Sequence, residues 1–278
     1  MNRLSTQGAN VLGTKLDDVG IDVSVSEAQL DALSAEGVVP KFLYTIPTVQ
    51  NPTSSVLSVE RRAALLKITR DCGVPVIEDE CYADLLWDGD WPASMLAMEG
   101  SDHVIHVASF SKYLASALRL GYALAPWAVL AQMIACKGGG TGALEQMVVA
   151  DFLKDKYEQH VDNLKVRLKA KSDASVEALE ENFGTSAEFG VPSGGIYLWI
   201  KFPPEVDTLK LADKALEADI AYKPGTQWSV DGEPARKHLR ICFANSIIEE
   251  IREGVAKLAE VSHAETGIPL RSANVSRT

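Results

Sequence analysis

Short apolar runs, separated by segments with helical spacing, give the chain its clearest pattern. Val38 to Thr45 is mostly apolar and bounded by turn residues, which predicts a buried strand. Val74 to Asp79, His103 to Ala108 and Leu120 to Ala125 repeat that pattern. Between the first two runs, Ser58 can cap a helix that carries Ala63, Leu65, Leu66 and Ile68 on one broad face and stops at Gly73. Strands alternating with helices predict a mostly parallel sheet covered on both faces. Leu144 to Asn182 reads as largely helical, with Lys, Asp and Glu set around Leu164, Leu168, Val176 and Leu179 as an amphipathic face. A strand over Ile196 to Phe202, a helix over Leu209 to Ala218, a strand over Leu239 to Phe243 and a helix over Ile247 to Val261 suit a second, α+β unit. Residues 1–36 are polar, with turns at Gly8, Gly13 and Gly20 and a short helix over Ser26 to Leu33. The tail after Ala264 is polar and expected to fray. The expected fold is therefore α/β, with a large domain over 1–160, a small domain over 161–266 and a disordered tail over 267–278.

A chain of 278 residues, 46% hydrophobic and 23% charged, can bury a sizeable core and divide in two. The net charge of −11 argues against a nucleic-acid surface, which needs clustered Lys and Arg. Cys72, Cys81, Cys136 and Cys242 are scattered and form no C-x-x-C, so they read as buried small hydrophobes in a reducing compartment. No apolar stretch approaches a membrane span, and Met1 to Ser5 holds no apolar signal core. A cytoplasmic protein is expected. The histidines lack metal-ligand spacing; His103 and His106 bracket a strand start and read as structural. Gly138-Gly139-Gly140 has no Lys-Ser/Thr after it and reads as a flexible bend, not a phosphate loop.

The chemistry concentrates elsewhere. Lys112 sits in Ser109-Phe110-Ser111-Lys112, just after an apolar run and seven residues before Arg119. Asp79 and Tyr82 form an Asp-x-x-Tyr pair, and Asn51-Pro52-Thr53 forms a turn. Asn51, Asp79 and Lys112 fall at or just past the ends of apolar runs, and ligands of parallel sheets bind beyond those ends. Glu78 and Glu80 flank Asp79 and should point to the opposite face of an extended segment. Arg240 lies inside an apolar strand, where an unpaired guanidinium is costly. Gly194-Gly195 suits a close backbone approach. Each residue alone has an ordinary reading: Lys112 as a solvated lysine, Asp79 as a helix cap, Tyr82 as a core aromatic, Asn51 as part of a plain turn, Arg119 as a surface charge. Together they supply an amine for a Schiff base, a carboxylate for a pyridinium nitrogen and two hydrogen-bonding groups for a phenolate oxygen. Hydroxyls and a guanidinium for a phosphate complete the partners that pyridoxal 5′-phosphate (PLP) needs.

The stretches Tyr44 to Thr53, Val76 to Leu85, Ser109 to Pro126, Gly194 to Trp199 and Leu239 to Ala244 resemble, in order, the class I/II aminotransferases. These are PLP enzymes of fold type I, and the likeness is to the branch of 2-aminoadipate, aromatic and kynurenine-type transaminases and related regulator domains. The resemblance implies a three-layer large domain, an α+β C-terminal small domain, PLP as cofactor, and amino transfer between an L-amino acid and a 2-oxo acid. It also implies a homodimer, with no nucleic-acid or membrane partner. It assigns cofactor attachment and proton transfer to Lys112, the pyridine nitrogen to Asp79, and the phenolic oxygen to Tyr82 and Asn51. The phosphate falls to Ser109, Ser111 and Arg119, and the substrate to Arg240 with Asn51. Ser54 stands where the family carries Gly, and Ser116-Ala117 where it carries Pro-Gly; both are expected to shift turns without removing chemistry. The family's Gly-Ser-Gln-type phosphate cradle and ring-stacking aromatic precede the region matched here and are absent from this sequence. A catalytically weak or inactive truncated homologue acting only as a binding or fragment protein therefore stays open beside the transaminase. So does a β-lyase, decarboxylase or racemase on the same fold.

Overall fold

A computed structural model describes residues 2–271. A single helical turn, α1 (Asn2–Thr6), leads to a hairpin of β1 (Leu16–Asp17) and β2 (Gly20–Ile21), then to α2 (Val23–Ala35). The core of the first half is a four-stranded sheet of β3 (Leu43–Thr45), β4 (Val76–Asp79), β5 (Val104–Ser109) and β6 (Gly121–Leu124), in that spatial order. β3 pairs parallel with β4, β4 parallel with β5, and β5 antiparallel with β6. Helix α3 (Val59–Asp71) connects β3 to β4. Ser58 caps it as expected, its hydroxyl accepting from the Arg61 amide at 3.3 Å, and Gly73 follows in a left-handed conformation at φ +67°.

The first strand is shorter than its apolar run, because Val38 and Val39 stay exposed and only Leu43–Thr45 finds a partner strand. Sheet coverage is also one-sided. Val76 and Val104 pack with Leu65, Leu66 and Ile68 of α3, whereas Ile77 and Ile105 on the other face are half-buried and Tyr122 and Leu124 of β6 are exposed.

Helices α4 (Trp127–Cys136), α5 (Ala143–Asp155) and α6 (Tyr157–Phe183) follow, and Gly138 to Gly140 is an exposed bend between the first two. The second half adds an antiparallel sheet in the order β7 (Glu188–Phe189), β8 (Tyr197–Lys201), β10 (His238–Cys242), β9 (Lys223–Pro224). It packs with α6, α7 (Thr208–Glu217) and α8 (Ile248–Thr266) around Leu198, Ile200, Leu239 and Leu258, each at most 1% exposed. Gly267 ends α8 at φ +76° and turns Ile268 back into this core at 4% exposure. The Arg271 amide then donates to Asn182 O at 3.3 Å, so the chain is held past Ala264, where fraying was expected. Residues 272–278 lie outside the described ones.

The expectation that the cysteines are buried needs correction. Cys136 and Cys242 are exposed and Cys72 and Cys81 are half-buried, because each sits at the end or on the outer face of its element rather than in a core. Among the described residues no helix is long and apolar enough to cross a membrane.

Candidate active site

The loop that leaves β3 carries Asn51. The Leu57 amide closes it on Pro47 O at 2.7 Å, and the Gln50 amide donates to Ser55 O at 2.9 Å. The Asn51–Pro52 peptide is cis. Ser54 holds φ +60°, a conformation that favours glycine, which accounts for the family's choice at this place. Its hydroxyl donates to Tyr197 O at 2.9 Å and ties the loop to β8. Gly194 and Gly195 make that approach possible. A Cβ on Gly194 would lie 2.6 Å from Val49 and 2.9 Å from Leu85 O, and Gly195 takes φ +88°.

Asn51 Oδ1 accepts from Arg240 Nη1 at 2.7 Å. The Arg240 guanidinium lies against two rings, 3.7 Å from the centre of Tyr197 and 4.4 Å from that of Trp228. Its Nε is buried and has no acceptor. That is an uncommon state for a charged donor. Tyr197 also receives the Tyr82 hydroxyl at 3.4 Å, a loose contact. Burial first, then Tyr197, raises the Tyr82 phenol well above its ordinary value, so it stays a neutral donor.

Lys112 lies on a π-helical turn, Ser111–Ala115, directly after β5. Its amine is exposed and stands 5.6 Å from the centre of the Tyr82 ring. Ser109 ends β5; its hydroxyl donates to Ser111 Oγ at 2.9 Å and accepts from the Ser111 amide at 3.2 Å. Arg119 closes the next turn at φ +48°, is exposed, and has no ion pair among the described residues. Asp79 ends β4, where Oδ2 accepts from the Tyr44 hydroxyl at 2.7 Å and Oδ1 from the Cys81 amide at 3.1 Å. Cys81 feels both charges of the site: burial and then Asp79 push its thiol up, and Lys112 pulls it down.

Glu78 and Glu80 do point away from Asp79, onto the buried face. Glu78 Oε2 bonds His106 Nδ1 at 2.9 Å, and Glu80 Oε1 lies 3.2 Å from Arg62 Nη1. Glu78 raises the His106 pKa, and burial pushes Glu80 up to about 7 despite Arg62. His103 bonds the Thr69 hydroxyl at 2.9 Å, so both histidines serve structure, as expected. No group of three or more His, Cys, Asp and Glu able to hold a metal occurs among the described residues.

The predicted residues thus form a chain of contacts: Lys112 over Tyr82, Tyr82 to Tyr197, Tyr197 under Arg240, and Arg240 to Asn51. No hydrogen bond or ion pair joins Arg119 to Ser109 or Ser111, or Asp79 to Lys112, among the described residues. Three participants were not singled out from sequence. Tyr44 and Tyr197 lay inside stretches already marked by their neighbours. Trp228 carried no signal, because it ends an isolated short helical turn, Gly225–Trp228, outside the stretches already marked.

An α/β unit with an amine, a carboxylate and two hydroxyls at or just past the carboxyl ends of β4 and β5 defines a class of sheet-end ligand site. Within that class, the family model described as aminotransferase class I and II matches residues 6–258, and the chain belongs to that family. It is 31% identical over 258 residues to the 2-aminoadipate transaminase of Thermus thermophilus, covering 91% of this chain and 64% of that protein. It is 30% identical over 254 residues to aromatic-amino-acid aminotransferase 1 of Thermococcus litoralis, covering 90% and 61%. The crystal structure of an alpha-aminoadipate aminotransferase from Thermus thermophilus, complexed with N-(5′-phosphopyridoxyl)-L-leucine, superposes with a TM-score of 0.86 at 28% identity, covering 93% and 66%. The chain therefore spans less than two thirds of the length of these relatives.

Proposed function

We propose that this chain carries the PLP-binding and substrate-binding residues of an aminotransferase that moves an amino group between an L-amino acid and a 2-oxo acid. The contact chain from Lys112 through Tyr82, Tyr197 and Arg240 to Asn51 carries the reading, because it sets an attaching amine and a carboxylate reader around one space. The donor set fits PLP. Lys112 and Arg119 are exposed without ion-pair partners among the described residues, Ser109 and Ser111 add hydroxyls beside them, and Arg240 Nε lacks an acceptor.

Bound PLP supplies an electron sink for charge developing at the substrate Cα. Lys112 would hold the cofactor covalently, and its amine, when free, would move a proton at the substrate Cα. Asp79 holds a proton on the pyridine nitrogen, and the Tyr44 and Cys81 donors keep its carboxylate aimed. Tyr82 and Asn51 hydrogen-bond the phenolic oxygen. Ser109, Ser111 and Arg119 hold the phosphate, for which a planar guanidinium is suited. Arg240 takes the α-carboxylate, while Asn51 and the two rings keep its plane fixed.

Exposed Trp127, Ile134, Leu144, Met147 and Val148 give α4 and α5 an apolar face that suits a homodimer. The cytoplasm is the compartment proposed. Product analysis tests the reaction. An L-amino acid donor and a 2-oxo acid acceptor should give stoichiometric amino exchange, without CO2 release or racemised donor. CO2, D-amino acid or eliminated side chain as the main product would assign a decarboxylase, racemase or lyase instead.

A further inference from the structure

Arg62 lies outside the site, yet its contacts reach both loops that carry site residues. It sits on α3 with no exposed surface. Nε donates to Leu57 O at 2.9 Å and Nη2 to Pro47 O at 3.1 Å, and these carbonyls stand at the two ends of the Asn51 loop. Nη2 also donates to Thr48 Oγ1 at 2.7 Å, on the same loop. Nη1 donates to Glu80 Oε1 at 3.2 Å and lies 3.9 Å from Glu78 Oε1, the two residues that flank Asp79. Thr48 closes the circuit by donating to Glu80 Oε1 at 2.8 Å. A remaining bond, Nη1 to Ala93 O at 3.1 Å, holds the segment whose Met95 and Leu96 amides bond Glu78. One rigid fork of N–H groups thus grips the stem of the Asn51 loop and the end of β4 together.

We propose that Arg62, with Thr48 and Glu80, is a positioning unit that fixes Asn51 relative to Asp79. Resting on the function proposed above, it thereby sets two cofactor contacts against each other without touching the cofactor. A buried ion pair adds little net stability, so what this unit supplies is geometry. The arrangement is specific in one more respect: Glu78 and Glu80 point back while Asp79 points forward, so holding the first two aims the third.

The test compares Thr48→Val with Thr69→Val. Both threonines are fully buried, but Thr69 bonds Leu65 O at 2.7 Å within α3 and stands outside the unit. Amide hydrogen exchange of the protein without added PLP reads the unit directly. Thr48→Val should speed exchange roughly tenfold in the 50–57 and the 80–86 segments together, as expected for one lost buried hydrogen bond. Thr69→Val should leave both segments near wild type. A rise confined to the Asn51 loop, or equal rises in the two variants, would overturn the proposal. With PLP added, Thr48→Val alone should raise the pH midpoint of the bound cofactor's visible band; an unmoved midpoint would overturn the link to the cofactor. Absence of PLP binding by the wild type would defeat the proposed function, while the exchange result would still decide the positioning unit.

Discussion

Glu78, Asp79 and Glu80 follow one another at the end of one strand, and the two faces they reach differ sharply. On the buried face, Arg62 uses all of its nitrogens on acceptors, and Glu78 accepts from two amides and His106. On the open face, Asp79 takes only the Tyr44 hydroxyl and the Cys81 amide, and Lys112 and Arg119 are exposed and carry no ion pair among the described residues. Arg240 has a buried Nε with no acceptor. Charges that hold the fold are enclosed and bonded largely to one another, although Glu80 Oε2 is left without a partner among the described residues. Lys112, Arg119 and Arg240, the cations proposed to serve a ligand, form no ion pair among the described residues.

The largest effect expected from this contrast is on stability. Arg62→Leu leaves Glu78 and Glu80 buried without their cation and should cost about 3–5 kcal/mol in urea unfolding at pH 7. Lys112→Leu on the open face should stay within about 0.5 kcal/mol of wild type. Similar losses in both variants would erase the distinction between the faces.

A second expectation concerns pH. Glu80 titrates at about 7 in the folded chain against an ordinary value of 4.5, because burial disfavours its charge. The folded state keeps a proton that the unfolded chain releases, so stability falls as pH rises through that window. Relative to Glu80→Gln, the wild type should lose roughly 3 kcal/mol between about pH 4.5 and pH 7. Parallel stability curves for the two proteins would show that Glu80 is not so displaced. His106, raised by Glu78, adds a loss above its ordinary range that both proteins share.

The smallest of these effects belongs to the open face. Arg240→Lys keeps the charge but loses the fork, so binding of every amino acid and oxo acid should weaken by roughly 1.5–3 kcal/mol. Half-reaction kinetics with polar, aromatic and aliphatic donors would measure it. A loss limited to one side-chain type would make Arg240 a reader of side chains.

Much of this was legible in the sequence, for reasons that can be named. The apolar runs of β4, β5 and β8 are bounded by turn residues and packed by α3 or α6, so burial and periodicity agree. Asp79 and Glu80 could be assigned to opposite faces because strand geometry alternates. The short strands β1, β2, β7 and β9 were not visible, since pairs of residues carry no period. Helix α4 was missed because it is apolar nearly all round, without a polar stripe, and is mostly exposed with no buried residue. The Arg62 unit was hidden for another reason. A single arginine in an ordinary helix gives no sign of burial until Pro47, Leu57 and Glu80 are brought around it.

The central claim is that Lys112 is the residue to which PLP attaches. Borohydride reduction of the protein reconstituted with PLP, followed by peptide mass mapping, tests it most directly. The pyridoxyl group should appear on the peptide containing Lys112, and Lys112→Ala should abolish the label while leaving the fold intact. A stoichiometric label on another lysine, or labelling that survives Lys112→Ala, would contradict the account.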